Sequence, residues 1–330
     1  MSEEPLDGLV ELVEGYLLGE APSLTRRQVA EQAGVSIDLA LELWRELGFA
    51  HVGDDVVAFA PADVEALRMS ADLREEGVLS EDRQAALVRT WGRSFARLAE
   101  WQTALLVDLA RERELTDVAS LAMLADQVLP RVEYLQTYVW RRHLLSATNR
   151  GLVALTGAAA APSAVCFVDI VGYTSRSKSL TEEELVAWLE EFEDVCTALV
   201  VERGGRVIKT LGDAVLFVAD TVVDAAHTAL AITALGADAE SRFPQVRAGL
   251  AYGEVVSRLG DVFGPTVNIA SRLTSIARPD ALLVDESAAS ALREVDGFEV
   301  KSLRRTSVKG YSRLQPFVVR PARDRGPTVE

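Results

Sequence analysis

Histidine and cysteine are nearly absent from this sequence, which has His51, His143 and His227 and the two cysteines Cys166 and Cys196 in 330 residues. So few and so scattered, they exclude a zinc ligand cluster and a disulfide framework. Both cysteines sit in apolar runs and read as small buried hydrophobes; a reducing, cytoplasmic setting is expected. Lysine is scarce as well, limited to Lys178, Lys209, Lys301 and Lys309, so arginine carries most of the positive charge. Basic residues number 34 against 50 acidic ones, a formal net charge of -16. A phosphate surface would on average repel such a chain, which argues against broad nucleic-acid or anionic-membrane binding. Any anionic ligand must meet a local site.

Long apolar runs are also missing. The longest charge-free stretch, residues 151–168, is rich in alanine and glycine, is interrupted by Pro162 and ends in Asp169. It reads as a linker followed by a buried strand, not as a membrane span. The opening MSEEPLDGLVELVEGYLLGE lacks the basic-then-apolar order of a signal peptide. What remains, a chain 49% hydrophobic, is enough for two folded domains of ordinary size.

Residues 1–150 read as mostly helical. Leu87, Trp91, Phe95, Leu98, Trp101, Leu105 and Leu109 recur at spacings of three and four, predicting a long helix with one buried face that starts near Ser80. A second helical run, about 117 to 150, is expected to break at Pro130. Earlier, "LTRRQVAEQAGVSIDLALELWRELGFA" has the form of a helix-turn-helix, with "HVGDDVVAFA" as a small wing. Its second helix carries Asp38, Glu42 and Glu46 with only Arg45 as a base, which favours protein packing over DNA readout. The small residues of 151–162 mark a linker, residues 163–322 form a second domain, and 323–330 a tail.

In that second domain strand and helix alternate. "AVCFVDIV" is an apolar strand with one acid. Thr181 with Glu184 makes a capping box for a helix that ends at Gly204 and Gly205, and "RVIKTLGDAVLFVAD" is two strands around a turn. The order strand, helix, strand, strand, helix, strand predicts an α+β, ferredoxin-like split βαβ sheet with its helices on one face.

Asp169 interrupts an apolar strand, where an unbound carboxylate is costly. Asp213 lies at the tip of the next hairpin, and neither has a basic partner nearby in sequence. Two acids meeting at a strand edge suit a magnesium-type site; turn capping is the alternative reading. The stretch after Asp169, with Gly172, Tyr173 and Thr174, offers backbone N–H groups to a polyphosphate. In "DVFGPTVNIASRL", Asn268 and Arg272 are four apart and project from one helical face, a neutral donor beside a guanidinium.

"FVDIVGYT", "IKTLGDAVLF" and "GDVFGPTVNIASRL", in this order and at these separations, resemble the catalytic domain of class III nucleotidyl cyclases over roughly residues 163 to 320. The resemblance implies that Asp169, Asp213 and the Ile170 carbonyl bind two divalent ions, Mg2+ or Mn2+. It implies that Asn268 orients the ribose of ATP and that Arg272 stabilises charge on the phosphate. Lys209 and Asp261 match the family's base-selecting pair, and adenine, an acceptor at N1 and a donor at its amine, suits them where guanine presents the reverse. Because all six side chains occur on one chain, the resemblance implies a homodimer with two composite sites, Lys209 and Asp213 serving different ones. In "SVKGYSRLQPFVV", Lys309 matches a phosphate-contacting lysine, whereas Tyr311 stands where a second lysine is common.

The expectation is thus a homodimeric adenylate cyclase, without a membrane span and not bound to DNA. Its N-terminal half resembles, more loosely, the regulatory half of soluble mycobacterial cyclases that respond to acid, with a proton or a lipid as effector. The three histidines are proton-sensing candidates by side-chain type. A nucleotide-responsive DNA-binding regulator and a non-catalytic nucleotide-binding scaffold are the rival readings.

Overall fold

The computed structural model describes residues 13–115, 117–155, 162–238, 240–308 and 311–322. The chain divides into two units, Met1–Asn149 and Arg150–Glu330.

The first unit contains β1 (Leu24–Thr25), α1 (Arg26–Ala33), α2 (Ile37–Leu47), β2 (Val57–Phe59), α3 (Pro61–Glu75), α4 (Glu81–Glu112) and all but the last six residues of α5 (Val118–Leu155). Thr25 and Gln28 close a capping box on α1, Gly34 ends it in the left-handed conformation, and the Ser36 hydroxyl caps α2. The helix-turn-helix thus forms from its own local signals. The wing does not. β2 pairs back with β1, ahead of the first helix, and Asp54 is drawn onto Arg26 and Arg27 of α1, which pins the intervening loop there. The far end of α2 faces α4: Glu46 pairs with Arg89 at 2.7 Å, and a Cβ added to Gly92 would sit 2.3 Å from the Leu47 carbonyl oxygen.

Two helical expectations are corrected. The buried residues of α4 are Gln84 and Val88, whereas Trp91, Phe95, Trp101 and Leu105 are between 42% and 59% exposed. Within the single chain α2 packs at Arg89 and Gly92, and the stripe of large side chains stays open. Nor does Pro130 end the second helix, because α5 continues through it to Leu155. One lost backbone bond is tolerated within a helix of 38 residues, and next to it the Arg131 guanidinium donates to the Gln127 carbonyl at 2.8 Å. The segment read as linker therefore begins as helix; 156–161, the tail 323–330 and Lys309 lie outside the described residues.

The second unit is built on a seven-stranded sheet. Its strands are β3 (Ser163–Ile170), β4 (Arg206–Thr210), β5 (Ala214–Ala219), β6 (Val246–Gly253), β9 (Leu282–Val284), β10 (Phe298–Ser302) and β13 (Phe317–Pro321), in the order β10-β13-β9-β6-β3-β5-β4. Two-stranded ribbons are formed by β7 (Val256–Arg258) with β8 (Asp261–Phe263) and by β11 (Thr306–Val308) with β12 (Tyr311–Leu314). The helices are α6 (Tyr173–Arg176), α7 (Glu182–Glu202), α8 (Val222–Ala237), α9 (Pro265–Ile276) and α10 (Glu286–Arg293). The four strands β6-β3-β5-β4, all antiparallel, are the expected split βαβ arrangement, which β9 extends in parallel with β6.

Alternation along β3 separates two cores. Ala164, Cys166, Val168 and Ile170 join Trp188 and Phe192 of α7, Ile232 of α8 and Leu292 of α10. Burial raises both cysteine thiols, keeping them protonated and inert. Val165 faces the other way, with Leu216, Ala251, Val262 and Ala270. The two helices of the split βαβ unit, α7 and α8, lie on one face as expected, and α9, which follows that unit in the chain, covers the opposite face. Gly249 permits this, since a Cβ there would lie 2.2 Å from the Thr274 amide nitrogen and 2.6 Å from the Ala270 carbonyl oxygen. The helix backbone therefore rests directly on β6.

Gly249→Ala should push α9 off the sheet. Overpacking of this kind costs about 1–3 kcal/mol, so the melting temperature falls. Thermal melts check this; an unchanged melting temperature would contradict the contact.

Candidate active site

The pairing of β3 with both neighbours decides where its one acid goes. Asp169 stands opposite Ala214 on β5 and opposite Arg247 on β6. It shares the face of Val165, on the α9 side of the sheet. Asp213 precedes Ala214 in the tight turn closed by Gly212 (φ 71°), and its carbonyl accepts from the Ile170 amide at 2.9 Å. The two acids and the Ile170 carbonyl are thereby gathered at one end of the sheet. Immediately beyond, Gly172 adopts a left-handed conformation (φ 73°) and opens the single turn α6, which carries Tyr173 and Thr174.

A basic partner for Asp169, not visible nearby in sequence, comes from 78 residues away. Arg247 donates from Nε to Asp169 Oδ2 at 2.7 Å, pairs with the same oxygen through Nη2 at 2.6 Å, and donates from Nη1 to the Ser275 carbonyl of α9 at 3.4 Å. The sequence held one signal for it: a lone charge inside the apolar run "VRAGLAYG", the same kind of interruption that singled out Asp169. Burial pushes the Asp169 carboxyl up, the Arg247 hydrogen bond and charge pull it down, and the Asp213 charge raises it again; the net direction is upward. A half-buried carboxylate destabilised by burial and by a second carboxylate is a donor set that a divalent cation relieves, and hard oxygen ligands are what Mg2+ or Mn2+ takes. The residues fit such ions. Among the described residues no group of three or more His, Cys, Asp or Glu gathers into a metal cluster, so a cation held here would have two carboxylates and would take its remaining ligands from backbone, water and substrate.

Lys209 and Asp261 meet across 52 residues of sequence, Nζ to Oδ2 at 2.5 Å. A bulge makes this possible. In β4, Val207 faces Phe217 and Lys209 faces Leu216, two residues having advanced against one. Without it Lys209 would oppose Val215, whose side chain lies in the core under α7 and α8; with it Lys209 shares the face of Leu216 and Val262. Burial raises the Asp261 carboxyl, but the Lys209 hydrogen bond, the Val262 N–H and the Lys209 charge outweigh it and hold the carboxyl below its ordinary range. Both side chains keep about a third of their surface, 39% and 28%, so a ligand can reach them.

Asn268 and Arg272 lie one turn apart on α9, about 6 Å along its axis. Pro265 at the start and Thr266, whose hydroxyl donates to the Glu254 carbonyl at 2.7 Å, set where the helix begins. Asn268 is exposed and Arg272 half-buried. Among the described residues no side-chain hydrogen bond joins either of them to the Asp169 group or to Lys209 and Asp261. Among the described residues the chain thus presents three groups that no side-chain hydrogen bond joins: two acids, a lysine–aspartate couple, and an uncommitted amide and guanidinium.

Comparison with known proteins agrees with this arrangement of motifs. The family model for the adenylate and guanylate cyclase catalytic domain matches residues 159–321. An adenylate cyclase of Glutamicibacter nicotianae is 37% identical over 334 residues, spanning 95% of this chain and 83% of the relative. One from Streptomyces coelicolor is 42% identical over 291 residues, spanning 87% and 76%. A protein of Mycobacterium tuberculosis described as a pH-sensitive adenylate cyclase is 32% identical over 301 residues, spanning 86% and 75%. With relatives of this identity over most of its length, and with a cyclase catalytic domain in its second unit, the chain belongs to the class III adenylate cyclases.

Proposed function

We propose that two copies of this adenylate cyclase build two equivalent composite sites, Asp169, Asp213 and the Ile170 carbonyl of one copy meeting Lys209, Asp261, Asn268 and Arg272 of the other. The observation that supports this reading is that, among the described residues, no side-chain hydrogen bond ties Asn268 or Arg272 to the Asp169 group or to Lys209 and Asp261. A second copy would bring an uncommitted guanidinium to the acids.

In this reading Lys209 Nζ donates to adenine N1 and Asp261 accepts from the 6-amine, exchanging their mutual hydrogen bond for two contacts to the base. Guanine would set donor against donor and acceptor against acceptor. Asn268 holds the ribose, and Arg272 stabilises the charge that grows on the α-phosphate as the 3'-oxygen bonds to phosphorus and pyrophosphate leaves. The amides of Gly172, Tyr173 and Thr174 hold the triphosphate. Two Mg2+ or Mn2+ ions, when held by Asp169, Asp213 and the Ile170 carbonyl, supply acidity to the ribose 3'-hydroxyl and neutralise the triphosphate.

The first unit we assign to regulation, shifting the two catalytic units between separated and closed arrangements, with a proton as its effector. The name of the mycobacterial relative supports a pH response. DNA readout by α2 is disfavoured by the use of its end for packing on α4. Among the described residues no helix is long and apolar enough to cross a membrane.

The purified chain is expected to convert ATP, and GTP far more slowly, to the cyclic nucleotide in Mg2+ or Mn2+, and Asp213→Ala to abolish this. Equal amounts of Asp213→Ala and Arg272→Ala chains, each inactive alone, should recover roughly a quarter of the wild-type rate, since half the dimers are mixed and each keeps one of two sites; no recovery would contradict composite sites. Lys209→Met should lower kcat/KM for ATP about ten- to a hundredfold. Asp261 also links that substitution to pH. Its folded value is lowered, so the stability from its ionisation is complete above its unfolded value of about 3.9 and is lost as pH falls through the folded one. The melting-temperature gap between wild type and Lys209→Met should therefore narrow as pH drops from about 5 to below 4. Deleting residues 1–155 should change turnover and its ratio between about pH 6 and pH 8; unchanged values would overturn the regulatory assignment.

A further inference from the structure

Helix α6 is one turn long and starts three residues after Ile170. So short a helix does not hold itself in water, because closing the first turn costs more than its hydrogen bonds return. Its orientation must come from what it rests on. Tyr173 and Arg176, three apart and therefore on one face, rest on the same residue. The Tyr173 ring is stacked on Trp188 with centroids 6.2 Å apart and planes 10° from parallel, and the Arg176 guanidinium stands 4.8 Å from the centroid of the same indole. Trp188 is itself fixed. It is 8% exposed and lies two turns into α7, whose start is locked by the capping box of Thr181 and Glu184. Its Nε1 is buried without a hydrogen-bond partner among the described residues. An orphaned N–H is a cost that leucine or phenylalanine would avoid, so the position uses the breadth and π face of the ring.

We propose that Trp188 is a positioning residue for nucleotide binding: by carrying Tyr173 and Arg176 it aims α6, and with it the amides of Gly172, Tyr173 and Thr174, at the triphosphate. This rests on the reading that the turn contacts the phosphates, and the test separates the two.

KM for ATP, kcat and melting temperature are measured on the full chain for Trp188→Leu, Trp188→Phe, Arg176→Gln and Gly172→Val. Trp188→Leu is expected to raise KM about tenfold, and Trp188→Phe, which keeps an aromatic face, to stay within about twofold of wild type. Arg176 is exposed, so Arg176→Gln should raise KM about two- to fivefold with no change in melting temperature. Trp188 is the one tryptophan of the second unit, the others being Trp44, Trp91, Trp101 and Trp140. The emission change on adding ATP should therefore be present in wild type and reduced in Trp188→Phe. Gly172→Val, strained at a left-handed position, should also raise KM. If it does while Trp188→Leu and Arg176→Gln leave KM unchanged, even with a lowered melting temperature, Trp188 is a core residue only and the proposal falls. If Gly172→Val leaves KM unchanged, the phosphate reading of the turn falls and the proposal with it.

Discussion

The site depends on the register of β3, which is hydrogen-bonded to β5 on one edge and to β6 on the other. Its pairing with β5 sets Asp169 against Ala214, and hence beside the turn of Asp213, while its pairing with β6 sets the same residue against Arg247. Since side chains alternate, a slip of one residue would turn Asp169 into the core beneath α7 and α8 and carry Val168 and Ile170 out of it. Burial of the alternate residues thus enforces the placement of the acid. Apolar packing that stabilises the domain also determines which carboxylates meet.

On the same face a second constraint acts through absent side chains. Gly249 lets α9 lie on β6 at backbone contact, and from there the helix holds Asn268 and Arg272 outward while its last turn offers the Ser275 carbonyl to Arg247. The bulge in β4 brings Lys209 to this face and the ribbon of β7 and β8 brings Asp261. Irregularities in the strands, a bulge and a bare glycine, therefore do the aiming that regular pleating cannot, and they cluster where the chemistry-bearing side chains are.

The first unit shows the opposite relation between pattern and burial. Its capping residues and helical periodicities are strong, yet Trp91, Phe95, Trp101 and Leu105 of α4, and Tyr134, Leu135, Tyr138 and Trp140 of α5, are exposed in the single chain. A period of 3.6 reports that one face of a helix is apolar; whether that face is covered depends on the elements that reach it. Here α2 meets α4 around Val88, Arg89 and Gly92, and the large side chains further along α4 stay open.

By itself the sequence determined the features that are local. Capping at Thr181, the stop at Gly204, and the strand–helix order of the split βαβ sheet all come from propensities and hydrogen bonds within a few residues. Asp169, Asp213, Asn268 and Arg272 stood out because unusual residue types interrupt otherwise apolar runs or recur at helical spacing, whereas Lys209 and Asp261 were paired by the resemblance of their motifs to the cyclase family. Only the tertiary structure decided that Arg247 shares Asp169, that a bulge swings Lys209 to Asp261, that α9 takes the opposite face, that Pro130 leaves α5 unbroken and that the stripe on α4 stays open. Each of these turns on contacts between residues far apart in the chain or on how neighbours compensate a local defect. Periodicity and spacing carry no information about such distances.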